Sequence, residues 1–357
     1  MSDDFVTRLG HALREAGDRE QRRGSPARVA AAARGTFSGL EPTAAMMIVA
    51  VGAVLALGAY LLATFRAEPA RAPEPTVVAR LAPAAALDQV LSGFGSAWLV
   101  DTDAHALLRM DPATRRVTAR IPVAGTVGAA VGHDILWVGQ NRTNSFRLLR
   151  VDPQTNRIVA RIRVAKPSGG YVAAGFPVPL GHAVWIVGPD EAVRVDDATN
   201  RATKAVTIAR RGYGVRGATA FDGDLWALLS DHRVLRLDGR TGARKAVFRV
   251  PLGAAILSYG SALIVADDTE LGRVDPATGR VLWRLAIGRI GALADVGGLI
   301  WAEAPGGRGD RVVALDPRSG RIVSSVHVGD FGVNWMSRVG SEVWMTTAGG
   351  HLIILRP

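Results

Sequence analysis

Seven segments of the chain, FGSAWLV, GHDILWVG, GHAVWIVG, DGDLWALL, GSALIVAD, GGLIWAEA and GSEVWMTT, repeat one pattern, and that repetition constrains the fold more than any other feature. Six carry a tryptophan in the same slot: Trp98, Trp137, Trp185, Trp226, Trp301 and Trp344. Ile264 takes the slot in the fifth unit. Successive intervals are 39, 48, 41, 38, 37 and 43 residues. A period near 40, built of short alternating apolar runs split by turns, is the signature of a four-stranded propeller blade.

A second pattern follows each of the first six segments, visible as LLRMDPATRRVTARIPV, LLRVDPQTNRIVARIRV, AVRVDDATNRATKAVTI, VLRLDGRTGARKAVFRV, LGRVDPATGRVLWRLAI and VVALDPRSGRIVSSVHV. Asp followed by Pro suits the first two positions of a type I turn, and the residue four after the Asp needs positive φ. Gly242, Gly279 and Gly320 meet that need, and Asn156 and Asn200 are the best substitutes for glycine there. Arg115 breaks the rule, which predicts a different or strained turn in the first blade. The seventh unit stops after its third strand, yet TVVARLAP (76–83), ahead of the first tryptophan segment, matches the outer-strand pattern. Val77 to Leu81 is therefore expected to complete the seventh blade and remove an open edge. The fold class expected is all-β, a seven-bladed β-propeller closed by an N-terminal strand.

One transmembrane α-helix is expected ahead of it. Residues 43–65 (TAAMMIVAVGAVLALGAYLLATF) contain no charge, and at about 1.5 Å per residue they reach across a hydrocarbon core of roughly 30 Å. A cleaved leader is the rival reading, from the small residues Ala70 and Ala72, but the apolar run is too long for one. Residues 1–42 hold a short amphipathic pattern (Phe5, Leu9, Ala12, Leu13, Ala16) and seven Arg. The flanking arginines tie on the positive-inside count. The arrangement expected is a single-pass protein of a bacterial-type cell membrane, with the N-terminus cytoplasmic and the propeller outside. Residues 66–75 form a Pro-rich spacer, and the propeller domain runs from 76 to 357.

Composition excludes several functions. The chain has no Cys, so disulfides, thiolate catalysis and Cys-ligated zinc are ruled out. Its net charge is +11 with only three lysines (Lys166, Lys204, Lys245), and the arginines are spread through every repeat beside Asp rather than gathered on one stripe. That distribution argues against nucleic acid and leaves a diffuse field suited to anionic envelope ligands.

The repeat unit AWLVDT…LLRMDPATRRVTARIPV resembles the YVTN, or YncE-like, propeller repeat, and its G-x-x-W-V register is also similar to that of streptogramin lyase-type propellers. The resemblance covers about residues 76–357 and implies fold far more than activity. VDPATGRVLWRLAIG also resembles the repeat of pyrroloquinoline quinone-dependent dehydrogenases. No calcium or quinone site accompanies it, and no cofactor or metal is expected.

Repeated residues read as architecture. The six tryptophans fit burial between sheets, and Asp111, Asp152, Asp196, Asp238, Asp275 and Asp316 fit turns. Function is expected on the unrepeated loops of the face that joins fourth to first and second to third strands, here called the top. These are 140–145, 165–176, 209–217 and 303–310. Lys166, Tyr171, Arg210, Arg211, Tyr213, Arg216, Asn334 and Trp335 would give a basic, aromatic rim for a protein or an anionic or glycan ligand. Plain solvated loop residues are the competing reading. The function expected is a non-catalytic binding or scaffolding module. A lyase or hydrolase is the alternative, with His105, His351 and Glu303 as the available acid–base cluster. No G-x-S-x-G elbow, P-loop or H-E-x-x-H motif occurs.

Overall fold

The computed structural model describes residues 74–142, 145–164, 177–203, 205–210, 214–259, 262–288, 290, 292–305, 310–329 and 332–357. The expected membrane span at 43–65, the segment before it, and Lys166, Tyr171, Arg211 and Tyr213 lie outside the described residues. Among the described residues no helix is long and apolar enough to cross a membrane.

Seven four-stranded antiparallel sheets are formed. After β1 (Thr76–Leu81), the first blade comprises β2 (Leu87–Gly93), β3 (Ser96–Asp101), β4 (Ala106–Asp111) and β5 (Arg116–Pro122). The second comprises β6 (Thr126–Val131), β7 (Leu136–Arg142), β8 (Ser145–Asp152) and β9 (Arg157–Val164). In the third come β10 (Pro177–Pro179), β11 (Ala183–Val187), β12 (Glu191–Asp196) and the two-residue β13 (Val206–Thr207). The fourth holds β14 (Val215–Phe221), β15 (Asp224–Leu229), β16 (Arg233–Asp238) and β17 (Arg244–Arg249). The fifth holds β18 (Ala255–Tyr259), β19 (Ala262–Ala266), β20 (Glu270–Val274) and β21 (Val281–Ala286). In the sixth are β22 (Leu293–Val296), β23 (Leu299–Ala304), β24 (Asp310–Leu315) and β25 (Ile322–Gly329). The seventh blade has β26 (Val333–Val339), β27 (Glu342–Thr347) and β28 (Leu352–Arg356), and β1 pairs with β28 as its fourth strand, Thr76 opposite Arg356. The expected closure is what the sheet order shows.

Burial explains the strand sequences. Second strands lie between neighbouring blades and are buried on both faces, so β3, β11, β15 and β19 are buried at every position and read as unbroken apolar runs. Fourth strands are outer edges, and β9 alternates exposed Arg157, Val159, Arg161 and Arg163 with more buried neighbours. Charged side chains on an edge discourage pairing with another chain.

The core is not central but divided among the blade interfaces. Trp98, Val100 and Leu107 of the first blade pack with Leu136, Val138 and Leu149 of the second. Trp344 and Ile354 of the seventh pack with Leu87, Leu99 and Met110 of the first, which closes the ring. All six repeated tryptophans are at most 1% exposed, and Ile264 is fully buried.

Each Asp of the repeated turn accepts hydrogen bonds from backbone amides two or three residues on, as Asp111 does from Thr114 N at 2.8 Å and Asp316 from Arg318 N at 2.8 Å. The residue four after it is left-handed in every case: Gly242, Gly279 and Gly320 at φ 75°, 72° and 71°, Asn156 and Asn200 at 57° and 56°. Of the different or strained turn expected at Arg115, the structure shows the strained one. The φ of Arg115 is 57° and its amide donates to Asp111 O at 2.8 Å, so the first blade makes the same turn with a non-glycine residue in it.

Candidate functional site

The fourth-to-first and second-to-third connections end on the top face, where the first strands begin. In four blades the first strand is irregular at this end: the pairing register slips between Leu87 and Gln89, Thr126 and Gly128, Val215 and Gly217, and Val333 and Trp335. The extra residue of each bulge is Asp88, Val127, Arg216 or Asn334. A bulge re-aims the chain at the end of a sheet and is common beside functional sites. The frame here is repeated, while the residue it carries changes from acid to aliphatic to cation to amide.

Expected ligand residues fall into two groups. Arg210, Arg216 and Asn334 are exposed at the top. Trp335 is half-buried in the seventh-to-first interface, packed against the cluster that holds Leu87 and Ile354, so its ring is partly structural. Arg216, Asn334 and Trp335 belong to strands rather than to loops. The expected loop at 140–145 is mostly strand as well, because β7 runs on to Arg142 and β8 begins at Ser145.

The three residues of the acid–base alternative have separate structural surroundings. Glu303 lies in β23, is 2% exposed, and its Oε1 accepts the amide of Val333 at 3.0 Å. It thereby ties the sixth blade to the first strand of the seventh. His105 is exposed in a left-handed turn with φ 52°, where its carbonyl accepts Val123 N at 2.6 Å. His351 closes the next such loop, its amide donating to Thr347 Oγ1 at 3.2 Å and its carbonyl accepting Thr347 N at 3.0 Å.

Glu303 is one of a set that sequence reasoning missed. Gln89 Oε1 accepts Ala129 N at 2.7 Å, from the first blade to the second, and Thr346 Oγ1 donates to Asp88 O at 3.0 Å, from the seventh to the first. Asn334 Nδ2 makes a longer contact of 3.4 Å to Leu87 O. These side chains satisfy first-strand backbone groups that have no fifth strand to pair with. The signal was present: Glu303 and Thr346 occupy a second-strand slot where other blades have Val100, Val187, Leu228 and Ala266.

Charges follow the same division. Backbone amide donors hold the carboxyls of Asp111, Asp152, Asp196, Asp238, Asp275 and Asp316 below the usual carboxylate range. Burial acts the other way on Asp295, near the lower end of the first strand of the sixth blade, and raises its carboxyl in spite of nearby Arg338. Among the described residues no cluster of three or more metal-ligating side chains occurs.

No known family model and no curated relative matches the chain. Solved structures do match in fold. BamB from Moraxella catarrhalis aligns with a TM-score of 0.54 at 17% identity, over 76% of this chain and 83% of its own. The β-propeller domain of Cps50 (Swd1) from Myceliophteria thermophila aligns with a TM-score of 0.64 at 11% identity, over 79% of this chain and 99% of its own. Such identities carry the propeller architecture and nothing finer.

Proposed function

We propose that the chain is a non-catalytic binding or scaffolding module, held to a cell membrane by residues 43–65 and contacting a protein or an anionic envelope ligand through its top face. The observation that carries this reading is the set of top-face bulges, in which one repeated backbone device presents Asp88, Val127, Arg216 and Asn334. Residues common to the blades are spent on burial and turns. Those that differ from blade to blade collect at one end. Membrane anchoring rests on the uncharged run at 43–65, and the YVTN-like character on the repeat itself.

The test is a pull-down from solubilised membranes with the intact protein, Arg216→Glu and Asn334→Arg. Trp335→Ala is a poor probe, because it would also empty part of the seventh-to-first interface. A partner retained by the intact protein and lost with either variant supports the reading. Identical partner sets would remove the top face from consideration.

A further inference from the structure

Beside the short strand β13 the surface opens into a notch of about 140 Å³, lined by Thr207, Ile208, Ala209, Arg210, Arg233 and Arg244. A single water needs roughly 10–15 Å³, so the notch has room for a small polyatomic ion. It lies where the third blade's outer strand is cut to two residues while the other outer strands run six to eight. Buried Ile208 and Ala209 are its apolar part, and the three arginines come from three separate segments.

Several cations around the notch are matched by acids and others are not. Lys245 is neutralised twice, by Asp224 at 2.6 Å and Asp238 at 3.1 Å, and Arg236 is held by Asp224 at 2.5 Å. Arg233 has Asp231 at 2.7 Å. Arg210 and Arg244 make no ion pair among the described residues. In addition, Arg233 stands directly opposite Arg249 in the β16–β17 ladder, a like-charge pairing that costs stability. Asp224, Asp231 and Asp238 are thus committed to other cations, while Asp190 and Glu191 adjoin the notch through β13 and its continuation.

We infer that this notch binds a phosphoryl oxyanion, gripped between the guanidinium groups of Arg210 and Arg244 with Arg233 behind them. Guanidinium forks match the geometry of phosphate oxygens and make hydrogen bonds strengthened by charge. The chemistry is common to a soluble phosphate ester and to a phospholipid headgroup. Arg210 also belongs to the proposed contact surface, so the inference rests on that reading for this one residue. Arg233 and Arg244 lie outside it.

The experiment uses the full chain in a maltoside detergent and two probes followed by calorimetry: inorganic phosphate, and dihexanoyl phosphatidylglycerol below its micelle concentration. Saturable binding of at least one probe is expected, weakened about tenfold by Arg244→Ala and less by Arg244→Lys, which keeps the charge but not the fork. Arg210→Gln should weaken it similarly. Arg161→Ala, on the exposed edge of the second blade, should leave it unchanged. Binding of inorganic phosphate assigns a soluble ester, and binding of the lipid alone assigns a headgroup. No saturable binding of either probe, or an equal loss with Arg161→Ala, overturns the inference. Arg244 takes no part in the proposed partner surface, so failure here leaves the pull-down result standing, and an unaltered melting transition verifies that each variant is folded.

Discussion

The interface between the first two blades and the one between the seventh and the first do the same job with opposite polarity. In the first-to-second interface an arginine on the third strand reaches forward. Arg109 stacks over Trp98 at 5.3 Å and donates to Pro153 O at 2.7 Å and Asn156 Oδ1 at 3.2 Å in the next blade's turn. Arg150 repeats this from the second blade to the third, with Asp197 O at 2.9 Å and Asn200 Oδ1 at 2.8 Å. At the closing seam the slot of that arginine, opposite Trp344, is filled by Ile354. The left-handed turn residue of the first blade is instead the arginine: Arg115 reaches back to Val78 O and to Glu342, each at 3.2 Å. Its departure from the Gly/Asn pattern is a swap of donor and acceptor sides. At this seam the arginine has changed sides, from the third strand of one blade to the turn of the next.

That contrast can be broken at several points. The largest effect is expected from deleting residues 76–83, which removes the fourth strand of the seventh blade and the Val78 acceptor. Cooperative melting followed by tryptophan emission should vanish, and an unchanged transition would show that the seam does not hold the ring. Arg109→Ala should cost about 2–3 kcal/mol in urea unfolding, since it orphans part-buried acceptors in the next blade and removes a stacked cation. A loss near zero would mean that the forward-reaching arginines are ornamental. Converting the seam to the ordinary arrangement is the sharper test. Ile354→Arg alone buries a charge and Arg115→Asn alone breaks an ion pair, but together they should recover about 1–2 kcal/mol relative to the sum of the single changes. Strict additivity would contradict the swap.

How much of this could be read in advance follows from what each feature depends on. Trp98 and its counterparts, the Asp of each turn and the strand at 77–81 answer to demands that recur in every blade, so one unit interprets another. Arg115 was legible as an exception but not as a seam, because its partner Glu342 lies 227 residues away. Glu303 was read as a top-loop residue and is a buried acceptor, since its role is set by the amide of Val333 on another blade. The bulges that place Arg216 and Asn334 leave no mark of their own in one strand's sequence. They are visible once the second strand is laid beside the first.

The smallest effect concerns acidity. Folded carboxyls of the six turn aspartates are depressed from an ordinary value of 3.8. Their contribution is therefore present above that value and is lost as pH falls through the folded one. The melting temperature should decline as pH drops below about 4, and Asp275→Asn should make the decline shallower. A profile flat to pH 3 would detach the turns from stability. The seventh blade alone has no turn of this type of its own, because β28 pairs with β1 instead.

The pairing of Thr76 with Arg356 also has a consequence for the timing of synthesis. About 270 residues separate the end of β1 from the start of β28. At translation rates of roughly 5–20 residues per second, the interval between their emergence is on the order of 15–50 s. Six blades can be assembled in that time while β1 waits with both edges unpaired. The step that makes the ring whole thus waits for β28, and among the described strands the one synthesised first is the one whose partner arrives last.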